Sequence, residues 1–128
     1  MKIGLFSSKK SSVQITGLIA GQIKDLVAGL EIIEIVADNN LDLVREISSP
    51  GFDWKVIIIH YEADSNDISV LMNKVVELDD GKILKFFEKD DGFDETEEAE
   101  RISNEIVLKL FGKKKPESLD GKGSYTEL

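Results

Sequence analysis

The sequence predicts a three-layer α/β domain: a parallel sheet of four to five strands, in the spatial order 2-1-3-4, with helices on both faces. Three observations carry this. Short segments rich in Ile, Val and Phe alternate along the chain with longer segments whose apolar residues recur every three or four positions. The segment KVIIIHY, residues 55–61, is apolar without alternation, as a strand covered on both faces would be. Each strand-like segment is followed by a helix-like one, and such an order builds parallel strands joined by right-handed crossovers.

The first strand is read in KIGLF, residues 2–6, followed by the polar loop SSKKSS, residues 7–12. Ile15, Leu18, Ile19, Ile23, Leu26, Val27 and Leu30 then mark a helix of about five turns, with Ser11 and Gln14 spaced as a capping box at its start. Gly17 and Gly21 lie on one face of it, where close packing on the sheet would account for two helix-weakening residues. EIIEIVA, residues 31–37, is the second strand. A short helix from Leu41 to Ile47 follows, capped in Asp38-Asn39-Asn40 and stopped by Ser48-Ser49-Pro50-Gly51.

Phe52 and Trp54 precede the third strand, residues 55–61, and suit the lower end of the core. Ile68, Leu71, Met72, Val75, Val76 and Leu78 form a third helix, capped near Asn66 or Asp67 and ended at Asp79-Asp80-Gly81. KILKFF, residues 82–87, is the fourth strand. The last helix starts at Asp94, carries Glu95, Glu97 and Glu98 where negative charge suits a helix N-terminus, and buries Ala99, Ile102, Ile106, Val107, Leu110 and Phe111. Gly112 and three lysines close it. Residues 1–112 thus read as one domain, and residues 113–128, with almost no apolar content, as a disordered tail.

The 128 residues suffice to bury a core, and the chain has no cysteine, which removes disulfides, thiolate chemistry and Cys-based zinc sites. A formal net charge of -9 repels a polyphosphate backbone, which disfavours nucleic acid as a partner. The apolar runs are strand-length, far short of the roughly 20 residues that span a bilayer. A soluble cytoplasmic protein is expected, and the abundance of Ile, Lys and Glu resembles that of proteins from warm-living sources.

In this topology a site belongs at the edge where the strands end, in the crevice between the first and third. The loop after the first strand brings Ser7, Ser8, Lys9, Lys10, Ser11 and Ser12, whose amides, hydroxyls and ammonium groups suit a phosphate or carboxylate, although serines at a helix start also serve as plain caps. The loop matches neither G-x-G-x-x-G nor G-x-x-x-x-G-K-[ST]. After the third strand come His60 and Glu62, an imidazole and a carboxylate of the kind an acid–base pair needs, although a lone strand-end histidine is more often structural. Asp38, Asp64, Asp90 and Asp91 match no metal-binding spacing and read as solvated loop acids.

The opening KIGLFSSKKSSVQITGLIAGQI resembles the start of flavodoxins: a short strand, a hydroxyl-rich phosphate loop, then a helix. The resemblance implies a flavodoxin-like fold and an FMN site, but lysines stand where the flavodoxin loop carries a glycine, so FMN is not the favoured ligand. The layout is also similar to Toll/interleukin-receptor (TIR) domains, whose enzymatic members cleave NAD with a glutamate on the helix after the third strand; here the first turns of that helix, around Ile68 to Leu71, carry none. No complete catalytic set is present. The expectation is a non-catalytic binding, interaction or sensing module that takes a small anionic, nucleotide- or phosphate-like ligand at residues 7–12, His60 and Glu62. The alternatives are a flavin-dependent redox protein, a small hydrolase or transferase using His60 and Glu62, and a self-associating structural protein using the tail or the fourth strand's edge.

Overall fold

A computed structural model describes residues 1–63, 65–90, 92 and 94–112. The tail expected at 113–128 lies outside them, as do Asp64 and Asp91. The elements are β1 (Lys2–Ser8), α1 (Thr16–Leu26), β2 (Glu31–Ala37), α2 (Asn40–Ile47), β3 (Trp54–Tyr61), α3 (Asn66–Leu78), β4 (Ile83–Lys89) and α4 (Glu95–Phe111). They form one four-stranded parallel sheet in the order β2-β1-β3-β4. This is the three-layer, flavodoxin-like α/β architecture that the alternation of segments predicts.

Two apolar clusters sit on the two faces of the sheet. Ile3, Leu5, Val56, Ile58 and Phe86 pack with α1 and α4 through Ile19, Ile23, Ala99, Ile102 and Ile106. Phe6, Ile57 and Ile59 pack with α2 and α3 through Leu43, Ile47, Leu71 and Val75. Successive strand residues point to opposite faces, so the unbroken run from Val56 to Ile59 feeds both clusters in turn, which is why β3 shows no hydrophobic alternation. Phe52 and Trp54 pack on the two clusters, as expected; Phe52 meets Phe6 edge-to-face with ring centroids 5.4 Å apart. Trp54 is the first residue of β3 rather than a preceding loop residue, and Lys82 Nζ lies 4.8 Å from its ring centroid.

The helix ends follow local chemistry. Asn39 caps α2 by accepting the Asp42 N–H, and Asp94 caps α4 by accepting the Glu97 N–H. Gly112 closes α4 in the left-handed conformation, φ 65°. The α3 cap is Ser65, one residue before the expected position, because its hydroxyl reaches the Ile68 N–H.

The first helix departs most from expectation. It spans 11 residues rather than five turns, begins at Thr16, and has no side-chain cap. The proposed capping box does not form, because both of its side chains hold the preceding loop: Gln14 Nε2 donates to the carbonyls of Ser8 and Ser11, and the Ser11 hydroxyl bonds to β3. The chain becomes extended at Val27, so Leu30 lies beyond the helix. Gly17 and Gly21 are both exposed, and a Cβ at Gly21 would meet nothing within 4 Å. The close packing expected of them is absent. Besides β3 with its added Trp54, two strands are longer than read: Ser7 and Ser8 pair with Val36 and Ala37 inside β1, and β4 continues through Glu88 to Lys89.

Candidate functional site

The connection from β1 to α1 is bonded inward. Ser7 and Ser8 are buried strand residues, and Ser11 is buried beside them. The Ser8 hydroxyl donates to Asn40 Oδ1 at 2.7 Å and accepts the Lys10 N–H at 3.0 Å. The Ser11 hydroxyl accepts the His60 N–H at 2.9 Å and faces the Val13 carbonyl at 2.9 Å. The remaining amides behave alike: Lys9 N–H donates to Ala37 O, Ser11 N–H to Ser8 O and Ser12 N–H to His60 O. All four amides of residues 9–12 therefore have partners in the protein. A phosphate cradle needs such amides turned outward, and the segment instead staples β1 to β2, β3 and α2.

Beside this staple lies a crevice of about 520 Å³ on the α2/α3 side of the sheet, beyond the ends of β1 and β3. Lys10 and Ser12 border it from the first loop, Tyr61 and Glu62 from the end of β3, and Ser65 and Asp67 from the start of α3. Asn40, buried and oriented by Ser8, contributes to the lining, with Ile68 as an apolar contribution. Of the six expected residues in the first loop, only Lys10 and Ser12 reach the crevice. Lys9 instead pairs with Asp38 at 2.9 Å, an exposed contact of small energetic weight.

His60 and Glu62 are not brought together as a pair. Glu62 lies past the end of β3 and lines the crevice, together with Tyr61. His60 alternates with Tyr61 and is fully buried on the α4 side, where its Nε2 lies 3.1 Å from Glu98 Oε2. Glu98 also accepts from Arg101, at 3.0 Å to Nε and 2.7 Å to Nη2. Arg101 reaches on to Glu88 of β4 at 2.8 Å. Hydrogen bonding from Arg101 foremost, and from His60 as well, holds the Glu98 carboxyl below the usual glutamate range despite its burial. The same contacts, Glu98 first and then Glu88, push the Arg101 guanidinium upward.

Glu98 and Arg101 did not emerge as site residues from the sequence, yet a signal was present. Position 98 precedes Ile102 by four residues, so it falls on the stripe that the helix buries, and an acid on that stripe requires a partner.

Compared with known proteins, the chain matches no family model and no curated protein. Among the described residues no helix is long and apolar enough to cross a membrane.

Proposed function

We propose that this protein is a non-catalytic binding module, acting in sensing or interaction in the cytoplasm, that takes a small ligand in the crevice beyond the ends of β1 and β3. The observation that carries the reading is the lining itself. Lys10, Glu62 and Asp67 border a cavity of about 520 Å³, and none of them is held in an ion pair among the described residues. That volume is within the roughly 300–1,000 Å³ of small-molecule sites, and the position is the one where parallel sheets of this order bind ligands.

For the anionic part of a ligand, the Lys10 ammonium and Ser12 hydroxyl are the available groups. The inward bonding of the loop amides argues against a nucleotide polyphosphate or FMN phosphate held by backbone alone. His60 has no role in contacting such a ligand, because it is fully buried on the other side of the sheet; its backbone instead anchors the loop that carries Lys10 and Ser12.

The test is a thermal-shift screen of the full chain against nucleotides, flavins, sugar phosphates and amino acids. A ligand at about a hundred times its Kd stabilises the folded state by about 2.7 kcal/mol, a readily measured rise in Tm. At least one compound is expected to produce it, and Lys10→Ala to weaken it. A screen in which no compound at millimolar concentration raises Tm would overturn the reading.

A further inference from the structure

The charges around the crevice narrow the class of ligand, given the binding reading above. Among the described residues its lining carries one ammonium, Lys10, and two carboxylates, Glu62 and Asp67. Lys9 adds nothing, since it is turned to Asp38 at 2.9 Å. At neutral pH these described groups are therefore net negative by one charge, within a chain whose formal net charge is -9. A ligand that is only anionic would neutralise Lys10 and then face two carboxylates with no counter-charge. The usual remedy, a nest of backbone amides, is closed here because the amides of residues 9–12 are bonded within the protein.

We infer that the crevice takes a small zwitterion, with its carboxylate or phosphate at Lys10 and Ser12 and its ammonium at Glu62 and Asp67. Such a ligand gives Lys10 an anionic partner and sets one ammonium between the two carboxylates, and an electrically neutral zwitterion leaves the net charge of the site unchanged. The arrangement is compact: Lys10 and Glu62 follow the ends of neighbouring strands, which lie about 4.8 Å apart, and Asp67 is in the first turn of the helix that follows Glu62. Small ligands that carry both charges, such as amino acids or phosphoethanolamine, suit a crevice of about 520 Å³ with both kinds of charge on its lining. Tyr61, Asn40 and Ser65 supply further hydrogen-bonding groups around the same space.

The experiment is calorimetric titration of the full chain with each common amino acid and with phosphoethanolamine, alongside inorganic phosphate and the matching deaminated acids and decarboxylated amines. The expected result is that one zwitterion binds at least about tenfold more tightly than either of its halves. Glu62→Gln with Asp67→Asn should remove the advantage over the deaminated acid, and Lys10→Met the advantage over the amine. All three positions are exposed, and a circular dichroism melt confirms that the variants fold.

Inorganic phosphate or a deaminated acid binding as tightly as any zwitterion would overturn the inference and leave the crevice as an anion site. Zwitterion binding unchanged in these variants would overturn the assignment to this lining. Binding of no compound at about 10 mM would overturn the inference, and the binding reading falls with it only if the nucleotides, flavins and sugar phosphates of the thermal-shift screen also leave Tm unchanged.

Discussion

Gly4 and Gly21 make opposite demands on a side chain. A Cβ on Gly4 would lie 2.5 Å from Phe6 Cε1 and 3.0 Å from Phe52 Cδ1, inside a contact that closes one end of the core. Gly4→Ala is therefore expected to cost about 1–3 kcal/mol through overpacking. Gly21 lies mid-helix in open space, and Gly21→Ala is expected to stabilise by about 0.5–1 kcal/mol through helix propensity. Urea denaturation of the two variants at neutral pH should show midpoints shifted in opposite directions; a loss for Gly21→Ala would contradict the account of α1. Both glycines are plain in the sequence, but their roles are not. The Cβ at Gly4 would meet the ring of Phe6 together with that of Phe52, nearly fifty positions away, and spacing alone does not show that the two rings close over it.

At the scale of elements, the connection from β1 to α1 and the inner side of α4 decide what can be a site. The Ser11 hydroxyl is the acceptor for the buried His60 N–H, so Ser11→Ala should cost about 1–3 kcal/mol, more than the loss of an ordinary helix cap. Arg101 joins α4 to β4 through Glu98 and Glu88, and it is 43% exposed, so Arg101→Met should cost only about 1 kcal/mol at neutral pH. The pH dependence of that cost has a definite sign. The folded-state pKa of Glu98 is depressed, mainly by Arg101, so the associated stability is fully present above its unfolded value near 4.3 and is lost as pH falls through the folded value. Unfolding free energies of wild type and Arg101→Met should differ most above about pH 5 and converge on acidification. A gap that widens in acid would refute the role given to the pair.

These elements also mark the limit of what local pattern reveals. The caps of α2 and α4 and the stripe of α4 follow from residues within one turn of each other, and so were readable. The capping box at Ser11 and Gln14 has the right spacing, but both side chains bond outside the helix, and Ser11 does so with a residue 49 positions away. Spacing alone cannot weigh a local bond against a distant one.

For the molecule as a whole, the strand order and the two covered faces were legible because they follow from the alternation of segments and from crossover handedness. The edge that holds the crevice was legible for the same reason. The side of the sheet was not: a one-residue step along β3 sends Tyr61 toward α3 and His60 toward α4, so His60, read as more often structural than catalytic, is bonded to Glu98 and not beside Glu62 in the crevice. What remains is an inward-bonded loop whose Lys10 and Ser12 line the same crevice as Glu62 and Asp67.

The measurement that tests this most directly is an amide chemical-shift map of the isotope-labelled chain titrated with whichever screened compound raises Tm most. Perturbations are expected to cluster at Lys10, Ser12, Asn40, Tyr61, Glu62 and Asp67, with the α4 amides around Glu98 and Arg101 unmoved. Perturbations centred on α4, or spread over the outer faces of the helices with those crevice amides unmoved, would contradict the account.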